Sequence, residues 1–140
     1  MIDSKTTFLL KWAGFESKVS DDHWNDGSSI ITISHDSGKV GFSHQRKKQW
    51  GRFCESTPET LNRDLQNFIR KYMKEQGIEP PPKLSRAQER ILIREINGEY
   101  QMLTFRQAED LCTKGIMDGS FLPKLTAKGR IMAEYLKEKV

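Results

Sequence analysis

The chain has 140 residues, 36% of them hydrophobic and 30% charged, with a formal net charge of +4. That length suits one domain or two very small ones and excludes large multidomain machinery, while the low apolar content implies a modest core within an extensive solvated surface. The longest apolar runs, Phe8 to Leu10 and Ile30 to Ile33 with Thr32 inside it, fall far short of the ~20 residues that cross a bilayer, so no membrane partner is expected.

At the start, Met1, Ile2 and Asp3 open no basic segment ahead of an apolar stretch, and the expected location is the cytoplasm. Thr6 to Phe15 is apolar on both faces and carries aromatic and β-branched residues, which leans towards a buried strand over a short helix. Ser20 to Ser28 is polar and rich in turn formers (Asn25, Asp26, Gly27), so it reads as a loop. Ser29 to Ser34 and Lys39 to Ser43 are β-type runs around His35, Asp36, Ser37 and Gly38, a pattern that predicts a hairpin with Gly38 as its left-handed residue. Ser56, Thr57, Pro58 and Glu59 then supply helix-start chemistry. Leu61, Leu65, Phe68, Ile69 and Tyr72 follow at helical spacing, predicting a helix from about Pro58 to Gln76 that Gly77 ends.

Pro80, Pro81 and Pro82 form a stiff spacer, which divides the chain into an α/β unit at 1–78, a linker at 79–83 and a helical unit at 84–140. In the last, Ser85 with Gln88 and Thr104 with Gln107 are capping boxes. The first helix carries Ile91, Leu92 and Ile96 and stops at Asn97 and Gly98. The second places Phe105, Ala108, Leu111 and Cys112 on one face and stops at Gly115. Thr126 caps a third helix with Ile131, Met132, Tyr135 and Leu136, a face that could serve a homodimer or an internal core equally. Between the second and third helices, Asp118 and Gly119 turn between two short extended pieces, room for a small wing. The fold class is therefore α+β: an N-terminal β-hairpin plus helix unit followed by a small three-helix unit.

The charge is uneven along this frame. Residues 1–38 carry three basic and six acidic side chains, 39–82 nine and five, and 83–140 eleven and eight, so the sign flips from −3 to +4 and +3. Arg46, Lys47, Lys48 and Arg52 surround Trp50 and Phe53 with no acid between Lys39 and Cys54, a grouping that can neutralise phosphates and stack on a base. The same residues also read as a solvated loop whose aromatics anchor the following helix.

The string LTAKGR (Leu125 to Arg130), opening an amphipathic helix and preceded by RQAEDLCTKGIM, resembles the end of MarR-type winged-helix regulators over about fifty residues. The resemblance implies a winged-helix unit in which Arg106, Gln107 and Lys114 flank a DNA-facing helix and Lys124, Lys128 and Arg130 meet phosphates near the wing. The sequence departs from that family between Asn97 and Thr104, too short a span for the extra helix the family places there.

His23, His35 and His44 lie among Asp21, Asp22, Asp26 and Asp36, but their spacing matches no ligand pattern, and turn chemistry accounts for the acids; no metal or other cofactor is expected. Neither GxSxG, a catalytic-Cys signature, a P-loop nor GxGxxG occurs, so no enzyme activity is expected. Cys54 and Cys112 belong to no CxxC pair and suit free thiols in a reducing compartment. The expected function is that of a DNA-binding accessory or regulatory protein acting through phosphate contacts. The alternative is a small phage or mobile-element protein that blocks a host protein complex, with the acidic first 38 residues as its contact face.

Overall fold

The computed structural model describes residues 2–17, 22–36, 39–46, 51–119 and 123–139. It is a mixed α+β structure dividing into two compact units, Met1–Pro80 and Pro81–Val140. No helix among the described residues is long and apolar enough to cross a membrane.

The first unit begins with α1 (Ser4–Trp12), a helix where the apolar run leaned towards a strand. Two local signals decide it. The Asp3 carboxylate accepts from the Thr6 backbone N–H at 2.8 Å as a side-chain N-cap, and the chain leaves the helix through Gly14 at φ 100°. The run is apolar on both faces because Phe8, Leu9, Leu10 and Trp12 are all buried, and a helix covered on all sides loses its amphipathic stripe. Thr6, buried in the same helix, lies within hydrogen-bonding reach of Asn62 and Gln66, and the Trp12 indole donates to the Glu79 carbonyl at 2.8 Å.

Four antiparallel strands follow in a meander, β1 (His23–Asn25), β2 (Ser29–Asp36), β3 (Lys39–Arg46) and β4 (Phe53–Ser56), in the spatial order of the sequence. The hairpin of β2 and β3 forms as its alternation predicts, longer at both ends; Gly38, its expected left-handed residue, lies outside the described residues. The stretch read as a loop holds β1. Its turn chemistry operates just after that strand, where the Asp26 carboxylate accepts from the backbone N–H groups of Ser28 and Ser29 at 2.9 and 2.7 Å. Register pairs Trp24 with Ile31, Ile31 with His44 and Ile33 with Phe42, so these side chains share one face of the sheet. That pairing makes His44 an inward-facing histidine.

The helix α2 (Leu61–Gln76) starts three residues later than its proline and acid suggested. Thr57 and Thr60 bond one another's side chains and backbone in a turn that takes up Pro58 and Glu59. Its apolar stripe of Leu61, Leu65, Ile69, Tyr72 and Met73 is buried. It ends at Gly77, φ 71°, where the Ile78 N–H reaches the Met73 carbonyl at 2.8 Å, the six-to-one bond of a Schellman close.

The second unit holds α3 (Arg86–Ile96), α4 (Phe105–Thr113), a two-stranded antiparallel pair β5 (Met117–Asp118) and β6 (Lys124–Leu125), and α5 (Ala127–Lys139). Both capping boxes form in full, at Ser85 with Gln88 and at Thr104 with Gln107. The core is Ile91, Leu92, Leu111, Ile116, Met117, Met132, Ala133 and Leu136, with α3 packed along α5. Phe105, placed on the inner face by its spacing, is exposed instead. It sits in the first turn of α4, ahead of the buried Leu111.

The LTAKGR string has a mechanical role at the join of β6 and α5. Thr126 accepts from the Gly129 N–H at 3.0 Å, its hydroxyl lies 2.7 Å from the Gly115 carbonyl, and its N–H donates to the Ile116 carbonyl at 2.9 Å. A Cβ on Gly129 would stand 2.0 Å from that same Ile116 carbonyl, so only glycine lets α5 approach this closely.

Candidate nucleic-acid interface

In the first unit, the basic residues singled out from the sequence divide. Lys47, Lys48 and Trp50 lie outside the described residues. Arg52 is exposed just before β4, next to the partly exposed Phe53. Arg46 is engaged: its guanidinium lies 3.6 Å from the Glu75 carboxylate and 5.6 Å above the Tyr72 ring. An arginine paired with a carboxylate and seated on an aromatic face offers less uncompensated charge to a phosphate.

Behind Arg46 is a polar inlay. The Tyr72 hydroxyl donates to Asp26, lies 3.3 Å from the Ser29 hydroxyl and is flanked edge-on by the His44 ring, which also meets Phe68. Burial works to raise the Asp26 pKa, but the hydrogen bonds from Tyr72, Ser28 and Ser29 outweigh it and hold the carboxyl below its ordinary value. Burial, with the Asp26 bond, pushes the Tyr72 phenol up. Burial, with the nearby Arg46 charge, pushes the His44 imidazole down, and His44 Nε2 is buried with no hydrogen-bond partner among the described residues. The His44 ring is thus neutral filling between two aromatic rings.

His35 Nε2 lies 3.0 Å from Asp22, and no group of three His, Cys, Asp or Glu among the described residues is arranged to hold a metal. Cys54 and Cys112 are free thiols.

In the second unit, Arg106 and Gln107 stand in the first turn of α4, where Gln107 serves the Thr104 capping box. Arg106 lines a groove of about 600 Å³ together with Ala87, Ile91, Glu109 and Asp110. Lys114 fastens α4 to the start of α3. Its ammonium donates to the Lys83 carbonyl at 3.1 Å and to Gln88 Oε1 at 2.9 Å, and it lies 3.5 Å from Asp110. Lys124 has Asp118 as its register partner across β5 and β6. Arg130 is exposed on α5, while Lys128, on the same helix, is half-buried.

The exposed face of α4 carries Phe105, Arg106, Glu109, Asp110 and Thr113, one cation against two carboxylates. Laid against a duplex, that face would bring acids to phosphates.

A different helix gathers uncompensated positive charge. Arg86, Arg90 and Arg94 recur every four residues along α3; all three are exposed, and none forms an ion pair with a described residue. Their signal is present in RAQERILIRE, where the cations stand four apart and not side by side in sequence, a spacing that only a helix brings onto one face. Close by in the chain, Tyr100, Met102 and Phe105 are 88%, 84% and 82% exposed. Three large apolar side chains left this exposed within six residues of chain are candidates for contact with a partner.

No family model matches the chain, and no curated protein or solved structure is found to be similar to it.

Proposed function

We propose that this chain is a nucleic-acid-binding accessory or regulatory protein that holds a phosphate backbone electrostatically through its Pro81–Val140 unit. The observation that carries the reading is the row of Arg86, Arg90 and Arg94 on one exposed face of α3, none of them ion-paired with a carboxylate among the described residues. The order helix, helix, two-stranded pair, helix, with LTAKGR opening the last, supports the likeness to MarR-type winged-helix regulators, although 97–104 holds no additional helix. The weight of the contact moves from α4, with its Glu109 and Asp110, to α3. Arg106, Lys124 and Arg130 remain secondary phosphate contacts.

The test is the salt dependence of binding. Replacing Arg86, Arg90 and Arg94 together by Ala keeps good helix formers on the surface. It should lower the slope of log K against log salt by about 2 to 3, since each phosphate contact contributes about 0.7 to 0.9. An unchanged slope would remove α3 from the interface.

A protein partner is the second reading, favoured by Met102, whose exposed thioether offers no aromatic face to a base but suits an apolar contact. The acidic contact face expected of a host-complex blocker finds little support in the first unit. Asp3 caps α1, Asp22 pairs with His35 and Asp26 accepts from Tyr72. Met102→Ala separates the two readings: it should abolish capture of a protein partner and leave nucleic-acid affinity unchanged.

A further inference from the structure

Resting on the nucleic-acid reading, we infer that the strand held by the second unit is single-stranded, with bases stacking on Tyr100 and Phe105 while Arg86, Arg90 and Arg94 track its phosphates. The three arginines extend along eight residues of helix, about 12 Å, long enough to follow several consecutive phosphates of one strand. The segment carrying the aromatics leaves the end of that helix directly, the Glu99 N–H reaching the Arg94 carbonyl at 3.0 Å.

This segment is held at both ends. Gln101 Nε2 donates to the Ile91 carbonyl at 2.8 Å and lies 3.2 Å from the Glu95 carboxylate, tying the segment to α3. At its other end the Thr104 capping box sets Phe105 as the first residue of α4. Burial alternates along it: Gln101 and Leu103 are half-buried, whereas Tyr100 and Met102 point outward. Two aromatic side chains are therefore presented to solvent from a braced backbone, a low-entropy arrangement for stacking.

A duplex gives those rings nothing to stack on, because its bases already stack on each other. Unpaired bases expose a π-face to any aromatic they meet, and neighbouring arginines add both charge and cation–π attraction. Glu99 is the exposed acid of the segment and α3 itself carries the half-buried Glu89 and Glu95, so the attraction for a polyanion rests on the three arginines being exposed and forming no ion pair with a described residue. The groove beside the ladder, lined by Ala87 and Ile91 of α3 and by Arg106, Glu109 and Asp110 of α4, adds apolar wall, while its two carboxylates outnumber its one cation and leave the phosphates to the ladder.

Fluorescence anisotropy with the full chain tests this, using dye-labelled oligothymidylate, oligouridylate of equal length and the thymidylate annealed to its complement. The expected result is tighter binding of the single strands than of the duplex. Tyr100→Ala with Phe105→Ala should weaken single-strand binding about tenfold or more and leave duplex binding unchanged. The thymidylate and uridylate arms decide between DNA and RNA as the source, and circular dichroism checks that the variant stays folded. If the aromatic variant binds single strands as well as the parent, or the duplex binds as tightly as the strands, the single-strand inference is overturned while the electrostatic reading stands. If no probe binds at any salt concentration, the electrostatic reading fails and takes the inference with it.

Discussion

Gly129 lies where α5 comes nearest the carbonyl of Ile116, and a methyl group there would overlap a backbone oxygen, which cannot rotate away. Gly129→Ala gains about 1 kcal/mol of helix propensity, yet overpacking against a fixed carbonyl should still leave the second unit less stable by about 1–3 kcal/mol net, read as a lower urea midpoint. In the first unit the sensitive residue is His44, whose imidazole burial keeps neutral. The unfolded chain binds a proton at this site at higher pH than the folded chain does, so stability falls as pH drops below about 6.5. His44→Phe, which keeps a ring between Phe68 and Tyr72, should flatten that part of the stability profile between pH 7 and 5. Asp26 works in the same direction at lower pH. Its depressed pKa adds stability present above about 3.9 that is lost as acid protonates the folded carboxyl. Tyr72→Phe should shrink that acid loss, measured as the change in unfolding midpoint between pH 5 and 3.

At the scale of elements, the helices of the second unit advertised themselves through their ends. Ser85 with Gln88 and Thr104 with Gln107 close complete capping boxes, because the side chains that satisfy the first free N–H groups are local in sequence. Thr104→Ala removes one such acceptor and should cost about 1 kcal/mol, seen as lost helicity at the start of α4 and a lower melting temperature. The same change loosens Phe105, so a drop in single-strand affinity is expected alongside. The first unit was less legible. Its α1 resembled a strand, since burial on all sides erased the helical period, and the cap at Asp3 lies outside the apolar run. The short β1 was hidden in turn formers: Asn25 and Asp26 do make turn bonds, but His23 to Asn25 also pair with β2. At α2 the helix-start residues were present, yet Thr57 and Thr60 spent their hydroxyls on each other and delayed the helix to Leu61.

For the whole molecule, the positive balance belongs chiefly to one unit. Pro81–Val140 holds eleven basic and eight acidic side chains, whereas Met1–Pro80 holds twelve and eleven. Polyanion binding is therefore expected to follow the second unit. Replacing Arg46, Lys47 and Lys48 by Ala should change the salt slope less than replacing Arg86, Arg90 and Arg94, compared by anisotropy at the same salt concentrations. The two cationic groups differ in what surrounds them, since Arg46 already answers Glu75 and sits on Tyr72. What the sequence determined by itself was the α+β class, the hairpin of β2 and β3, the capped helices of the second unit and a short extended pair between its second and third helices, in which Asp118, read as a turn residue, pairs with Lys124 as part of β5. Those features rest on hydrogen bonds and periodicities between residues close in the chain. Only the tertiary structure decided which cations remain uncompensated and which aromatics face solvent. Both depend on partners far away in sequence, such as Glu75 for Arg46, and on which helix face the core claims, such as Ile91 and Leu92 inward and the arginines outward.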